Sequence, residues 1–129
     1  MREIEFRGYN RKNKQWLYGF YMQNRGAHFV CPDEFANGKT WEDYEIDPDS
    51  LGEFTGLFDK NKHKIYEGDI VDGIPFPGRH VIRYDFGEWL AVDAKGEWIE
   101  LLEFASECSD VLDTIEVLGN IYDCTTTRK

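Results

Sequence analysis

The chain has few cysteines and no long apolar run, and these shortages exclude several classes of protein. Its three cysteines, Cys31, Cys108 and Cys124, are far apart and form no Cys-x-x-Cys pair, so the sequence predicts buried thiols rather than disulfides or a zinc site. No apolar stretch approaches the ~18 residues that cross a bilayer, and the N-terminus lacks the apolar core of a signal peptide. We therefore expect a cytoplasmic protein that does not bind membranes.

Basic residues are also scarce, because 15 Lys and Arg stand against 25 Asp and Glu and give a net charge of −10. The charge is uneven: residues 1–32 carry six bases and two acids, whereas residues 33–53 carry eight acids and one lysine. An acidic surface repels phosphate, which disfavours sequence-independent binding to duplex nucleic acid. The glycine-containing runs match neither phosphate-loop nor dinucleotide-binding spacing, so no cofactor is predicted.

What the chain does contain is a series of short alternating segments, typical of a mainly β protein. Apolar residues alternate on both sides of the polar run 10–15, which predicts a β-hairpin, and a second hairpin is predicted around Phe86-Gly87-Glu88. Apolar residues at helical spacing predict one short helix near residues 100–108. The 129 residues and about seven to nine strands predict a single domain, residues 1–129, folded as a small barrel or sandwich.

Residues 33–53 form an acidic segment in which no hydrophobic period persists. Asn37-Gly38 and Asp47-Pro48 are turn dipeptides, which predict a loop excursion from the domain. Trp41, Tyr44 and Ile46 are costly to leave in water, so we expect them to hold the segment against the core. The alternative is a mobile acidic insertion.

Residues 54–71 form the most informative run of the sequence, with two turns and the starts of two strands. Gly56 marks a turn or a close approach of the backbone, and Asp59 and Asn61 belong to residue types that hydrogen-bond their own backbone in turns. Glu67-Gly68-Asp69 predicts a bend that leads into the β-branched strand Ile70-Val71.

The run from Phe54-Thr55-Gly56-Leu57 to Ile70-Val71 resembles the signature of the YopX family of phage and prophage proteins. Arg2–Arg7 with Tyr9 resembles the opening strand of that family, and Val117–Asp123 resembles its closing strand. The chain departs from the family pattern at Lys62, where the family typically has glycine. The matching motif residues are Thr55, Gly56, Asp59, Tyr66, Glu67, Gly68, Asp69, Gly119 and Asn120.

The resemblance implies an SH3-like barrel or roll of short antiparallel strands, in a protein of a bacterial host cytoplasm for which no enzymatic activity is established. The motif residues are then expected to have structural rather than chemical roles. The bend at Glu67-Gly68-Asp69 agrees with this, because many SH3-like barrels start a strand in that way.

Four carboxylates, those of Asp59, Glu67, Asp69 and Asp72, are close in sequence and raise the alternative of a paired-carboxylate catalytic site. Carboxylates in turns and at strand ends commonly accept backbone N–H groups instead, which is the interpretation we favour. His28, His63 and His80 are scattered, without the converging spacing of metal ligands. We therefore predict neither a catalytic site nor a metal site.

These observations favour a non-enzymatic phage or prophage accessory protein that acts by binding a protein partner. The alternative is binding of single-stranded nucleic acid through the basic N-terminal hairpin, where Arg11, Lys12 and Lys14 lie among aromatic residues. Small β-rich domains have edge strands that a second copy can cover, so a homo-oligomer is a further expectation.

Overall fold

The mainly β prediction is confirmed by the computed structural model of the chain, which describes residues 3–34, 36–73, 78–104 and 109–123. These residues contain ten β-strands in two antiparallel sheets. The strands are β1 Phe6–Asn10, β2 Gln15–Asn24, β3 Ala27–Cys31, β4 Gly52–Phe58, β5 Lys64–Tyr66, β6 Asp69–Asp72, β7 His80–Asp85, β8 Glu88–Val92, β9 Trp98–Glu100 and β10 Glu116–Asn120.

Backbone contacts divide the chain into two compact units, residues 1–54 and residues 55–129. We call them the N-terminal unit and the C-terminal unit. Strand β4 begins in the first unit and continues into the second. Each unit has its own cluster of buried apolar side chains. That residues 1–129 behave as one domain stays a prediction.

The N-terminal unit is an antiparallel meander of β1, β2 and β3, with the start of β4 beside β1. The predicted hairpin is present, since β1 and β2 pair from Phe6 opposite Gly19 to Asn10 opposite Gln15. The unit has a small core, which consists of Phe29, Cys31 and Tyr44 with Leu17 and Ala27 packed against them. Cys31 is buried, and this burial raises the pKa of its thiol.

The described part of the acidic segment contacts strand β3. It contains two 3-10 helices, Trp41–Asp43 and Pro48–Ser50. The Val30 N–H donates to the Tyr44 carbonyl at 3.0 Å and the Ile46 N–H donates to the His28 carbonyl at 2.9 Å, which covers an edge strand that would otherwise be open. Tyr44 and Ile46 are buried as expected, whereas Trp41 is half exposed.

The C-terminal unit contains the continuation of β4 next to β5, and a five-stranded sheet in the order β10-β6-β7-β8-β9. Strands β7 and β8 form the second predicted hairpin. Among the described strands the sheets are open and do not close into a barrel. The core of this unit consists of Leu57, Ile65, Val71, Ile82, Trp89, Ala91, Leu101, Leu112 and Ile115.

The predicted helix near residues 100–108 differs from the structure in its described part. Leu101–Phe104 is a 3-10 helix that directly follows β9, and it buries Leu101 while Leu102 is exposed. Residues 105–108 lie outside the described residues. Among those that are described, no helix has the length and apolar character needed to cross a membrane.

Candidate functional site

The central motif is organised by the carboxylate of Asp59, which is completely buried. Its Oδ1 accepts the N–H groups of Asn61 and His63, each at 2.9 Å, and so closes the turn between β4 and β5. Its Oδ2 accepts the N–H of Val117 on β10 at 3.0 Å, from a residue 58 positions away. One carboxylate therefore holds both a local turn and a long-range strand in place.

The two glycines of the motif have backbone conformations that other residues rarely adopt. Gly56 has φ +86° and Gly68 has φ +90°. Lys62, where the family pattern has glycine, also has a positive φ of +66°. Lys62 therefore has a left-handed conformation that favours glycine and strains a residue with a side chain.

The closing motif lies directly against the central one. Asn120 pairs with Asp69, with a register shift between Val117 and Gly119, and the N–H of Ile121 donates to the Gly68 carbonyl at 2.9 Å. The two sequence motifs that carried the resemblance therefore meet across β6 and β10.

Two further motif side chains, those of Thr55 and Asp69, also form hydrogen bonds with the backbone. The Thr55 hydroxyl donates to the Ile65 carbonyl and accepts the Leu57 N–H, and Asp69 Oδ2 accepts the Tyr66 N–H at 2.7 Å. Tyr66 is buried, while Glu67 is half-buried and interacts with other described residues. The structure thus supplies backbone partners for Asp59 and Asp69, two of the motif carboxylates that were candidates for chemistry.

Asp72, the fourth candidate carboxylate, is exposed, and its Oδ1 accepts the N–H of Gly73 at 2.9 Å. Asp59, Asp69 and Asp72 do not line the surface cleft at residues 78–80 and 93–99 or the cleft at residues 10–12 and 42–48. In the same residues, no three His, Cys, Asp or Glu side chains converge as metal ligands would.

The basic hairpin forms ion pairs with the acidic segment. Arg11 forms an ion pair with Asp47, and Lys12 Nζ lies 3.1 Å from Asp43 Oδ1. Lys14 is exposed in the turn with φ +55°. Of the three bases predicted to contact nucleic acid, two therefore have their charges matched within the chain.

Asp43 is the centre of this contact. Its Oδ1 accepts the Asn13 side-chain amide at 3.0 Å, and its Oδ2 accepts the Thr40 N–H at 2.9 Å. The Asn13 amide, followed by the Thr40 N–H and then Lys12, holds the pKa of the Asp43 carboxyl well below its usual range. The folded N-terminal unit therefore favours the ionised form of Asp43.

A cleft of about 460 Å³ lies at the end of the C-terminal sheet where β7 and β9 begin. It is lined by the cations of Arg79 and Lys95, by Glu97 and by the half-exposed Trp98. His80 also lines it and is only 2% exposed, and its Nδ1 has no hydrogen-bond partner among the described residues. The sequence pattern gave no sign of this burial, because His80 is adjacent to charged Arg79 at a strand start.

Among the described residues, large apolar side chains are exposed in both units: Ile4, Tyr18, Phe20, Met22 and Trp41 in the N-terminal unit, and Tyr84, Phe86, Trp98, Leu102 and Leu118 in the C-terminal unit. Phe86 at the tip of the β7–β8 hairpin is 81% exposed, and Tyr84, Trp98 and Leu102 are each more than half exposed. The Tyr84 ring contacts Trp89 edge-on with 4.7 Å between centroids, which fixes its position at the tip. Sequence reasoning placed Phe86 in a turn but assigned it no role.

The same part of the sheet carries an acidic pair. Glu88 at the start of β8 and Glu100 on β9 are close enough for their carboxyl groups to share a hydrogen bond, which, together with the charge of Glu88, raises the pKa of Glu100. Because Leu90 pairs with Glu100, the two glutamates lie diagonally on one face of the sheet.

The chain resembles known proteins both in sequence and in structure. The family model described as YopX protein matches residues 5–126. The structure is similar to the crystal structure of protein EF1440 from Enterococcus faecalis, with a TM-score of 0.53 and 20% sequence identity over 100% of both chains. At this identity the likeness concerns the fold alone. A comparison with curated proteins finds no match.

Proposed function

The chain belongs to the YopX family, and from this premise we propose that it is a phage or prophage accessory protein that acts in the bacterial cytoplasm by binding a protein partner. The proposal makes the protein a binding module rather than an enzyme.

The observation that carries this proposal is the pair of exposed aromatic side chains at the tip of the β7–β8 hairpin in the C-terminal unit. Phe86 is 81% exposed, and Tyr84, two residues before it, is 52% exposed. Single exposed apolar side chains are ordinary, but neighbouring ones are typical of interaction surfaces. Aromatic residues in particular are enriched at the centre of protein interfaces.

The charge of the chain indicates what kind of partner fits this surface. Residues 78–104, which carry these side chains, contain six acids and three bases, and the whole chain has a net charge of −10. Complementary charge speeds association and discriminates against wrong partners. A basic protein, such as one whose natural ligand is a nucleic acid, is therefore the partner class that the surface favours.

The non-enzymatic part of the proposal is supported by the carboxylates of the family motif. Asp59 and Asp69 are buried and accept backbone N–H groups, so both have structural tasks that account for their presence. A general acid or base must instead reach a proton of the substrate.

The proposal is tested by capture from host lysate at ~50 mM salt, where electrostatic attraction is strongest. An unrelated domain of similar size and net charge, immobilised at the same density, is the control for nonspecific retention of basic proteins. The captured protein is identified by mass spectrometry, purified, and titrated by calorimetry. We expect a saturable complex of defined stoichiometry that weakens as salt rises, and retention of the same proteins by both domains would contradict the proposal.

A further inference from the structure

Phe86 occupies a backbone conformation that does not suit it. Asp85 and Glu88 pair across the β7–β8 hairpin and leave a two-residue loop, in which Phe86 has φ +53° and Gly87 has φ +77°. Positive φ at both positions is the signature of a type I′ turn, whose first position favours Asn, Asp or Gly. A bulky residue with positive φ is an outlier that the surrounding structure has to hold in place.

A second type I′ turn in the chain has an exposed polar residue at the first loop position. Asn24 and Ala27 pair across the β2–β3 hairpin, and the loop residues Arg25 and Gly26 have φ +52° and +83°. The first position of that loop is occupied by Arg25, an exposed polar residue. The turn geometry therefore does not require an aromatic side chain. The ring of Phe86 needs an explanation that is specific to the β7–β8 hairpin.

The fold of the described residues does not use the ring of Phe86. Its side chain is the most exposed of the large apolar residues, at 81%, and none of the ring contacts among those residues involves it. The position thus combines an unfavourable backbone conformation with an exposed apolar surface, two disadvantages that a binding role explains together. We propose that Phe86 is the anchor of the partner-binding surface and inserts its ring into an apolar pocket on a basic protein.

The charge around the tip is the reason to choose a basic occupant. Asp85, Glu88 and Glu100 lie on the hairpin or on the neighbouring strand, and Arg83 is the one base on that hairpin. A pocket that receives the ring is therefore surrounded by carboxylates of this chain. An apolar pocket rimmed by Lys and Arg side chains complements that arrangement, whereas an acidic rim is repelled.

This inference rests on the proposed function, and two matched substitutions test it separately. Phe86→Asn and Arg25→Asn place the same favoured residue at the same position of two type I′ turns. Both are expected to raise the midpoint of urea denaturation, because both relieve a residue with positive φ. The probe for binding is the purified protein identified by lysate capture, titrated against wild type and both variants.

We expect Phe86→Asn to weaken that complex about 30-fold or more, as is typical for truncation of a central aromatic anchor. Arg25→Asn is expected to leave the affinity within about twofold of wild type, in line with the small effects of substitutions outside an interface. Opposite effects on stability and on binding at position 86 distinguish an anchor from a residue that supports the fold.

Three outcomes overturn the inference. If Phe86→Asn binds as tightly as wild type, the anchor lies elsewhere, while the proposed function stands. If Phe86→Asn lowers the denaturation midpoint, the ring supports the fold and the strain argument is wrong. If wild type yields no partner beyond those retained by the charge-matched control domain, the inference and the proposed function both fail.

Discussion

Two aspartates, Asp59 and Asp93, build the same five-residue turn in different parts of the C-terminal unit. In each, the aspartate Oδ1 accepts the N–H groups two and four residues later, and its backbone N–H donates to the carbonyl four residues later. The fourth residue has a positive φ, which is +66° at Lys62 and +86° at Gly96. The turn between β4 and β5 is thus a copy of a turn that elsewhere contains the glycine its geometry favours.

This equivalence predicts that Lys62→Gly stabilises the protein. A residue with a side chain loses roughly 1 kcal/mol in the left-handed conformation compared with glycine. We expect the free energy of unfolding, measured by urea denaturation, to rise by about that amount. The matched control is Gly96→Lys, which should lower it by a similar amount; a loss of stability for Lys62→Gly would contradict the assignment.

Asp59→Asn tests whether the buried carboxylate holds the strand β10. The asparagine oxygen can still accept from Asn61 and His63, but its NH₂ group then faces the N–H donor of Val117. We expect a loss of about 2–3 kcal/mol in the free energy of unfolding, because a buried donor is left without an acceptor. Asp93→Asn is the control: Asp93 accepts the N–H groups of Lys95 and Glu97 through Oδ1, and the asparagine oxygen can replace that atom. Its loss should therefore be below about 0.5 kcal/mol.

At the scale of elements, the acidic segment and the β1–β2 turn act as one assembly in the N-terminal unit. The side chain of Asn10 donates to the carbonyls of Glu42 and Glu45 at 3.1 and 2.7 Å, and Asp43 receives Lys12 and Asn13. The segment therefore completes the unit by covering the β3 edge and by neutralising the hairpin.

The lowered pKa of Asp43 predicts a pH-dependent contribution to stability. Because the pKa in the folded state lies below the ordinary value of about 3.9, the contribution is complete above that value and is lost as pH falls through the folded-state pKa. We expect Asp43→Asn to lower the urea midpoint at pH 7 and to differ less from wild type near pH 2. Asp49→Asn, which removes an exposed charge from the same segment, should show neither effect.

The acidic pair Glu88 and Glu100 on the C-terminal sheet predicts the opposite pH dependence of stability. Ionisation of Glu100 beside Glu88 is unfavourable in the folded state, so stability falls as pH rises through the raised pKa of Glu100. We expect Glu100→Gln to raise the thermal midpoint at pH 7 and to have little effect near pH 4. Glu103→Gln serves as the control for loss of one negative charge, and an equal gain from it would assign the effect to net charge instead.

For the molecule as a whole, net charge disfavours the nucleic-acid alternative. The chain has a charge of −10, and Arg11 and Lys12 already contact carboxylates. We expect no shift of single-stranded or duplex DNA or RNA in gels at ~50 mM salt, where phosphate contacts are strongest. Binding that disappears in the double variant of Lys12→Ala and Lys14→Ala would instead restore the hairpin as a nucleic-acid site.

Much of the fold could be predicted from the sequence, because hairpins and turns are local. The structure has three local features where the sequence pattern placed them. They are the hairpin around residues 10–15, the turn at Phe86-Gly87 and the strand that contains Ile70-Val71. The short helix was the least accurate element, since four of its described residues form a 3-10 helix. Its apolar spacing does not distinguish an α-helix from a tight turn that buries one leucine.

The mainly β class, the family and the net negative charge could be predicted from residue types and from spacings of a few positions, because these are local properties of the chain. Three relations became apparent only in the folded chain: the Val117 N–H donates to Asp59, the acidic segment forms ion pairs with the basic hairpin, and Phe86 is exposed to water. Pairing between distant strands sets these relations, and nothing in the local order of residues specifies which strands become neighbours. The candidate binding surface was therefore visible only after the strands were in place.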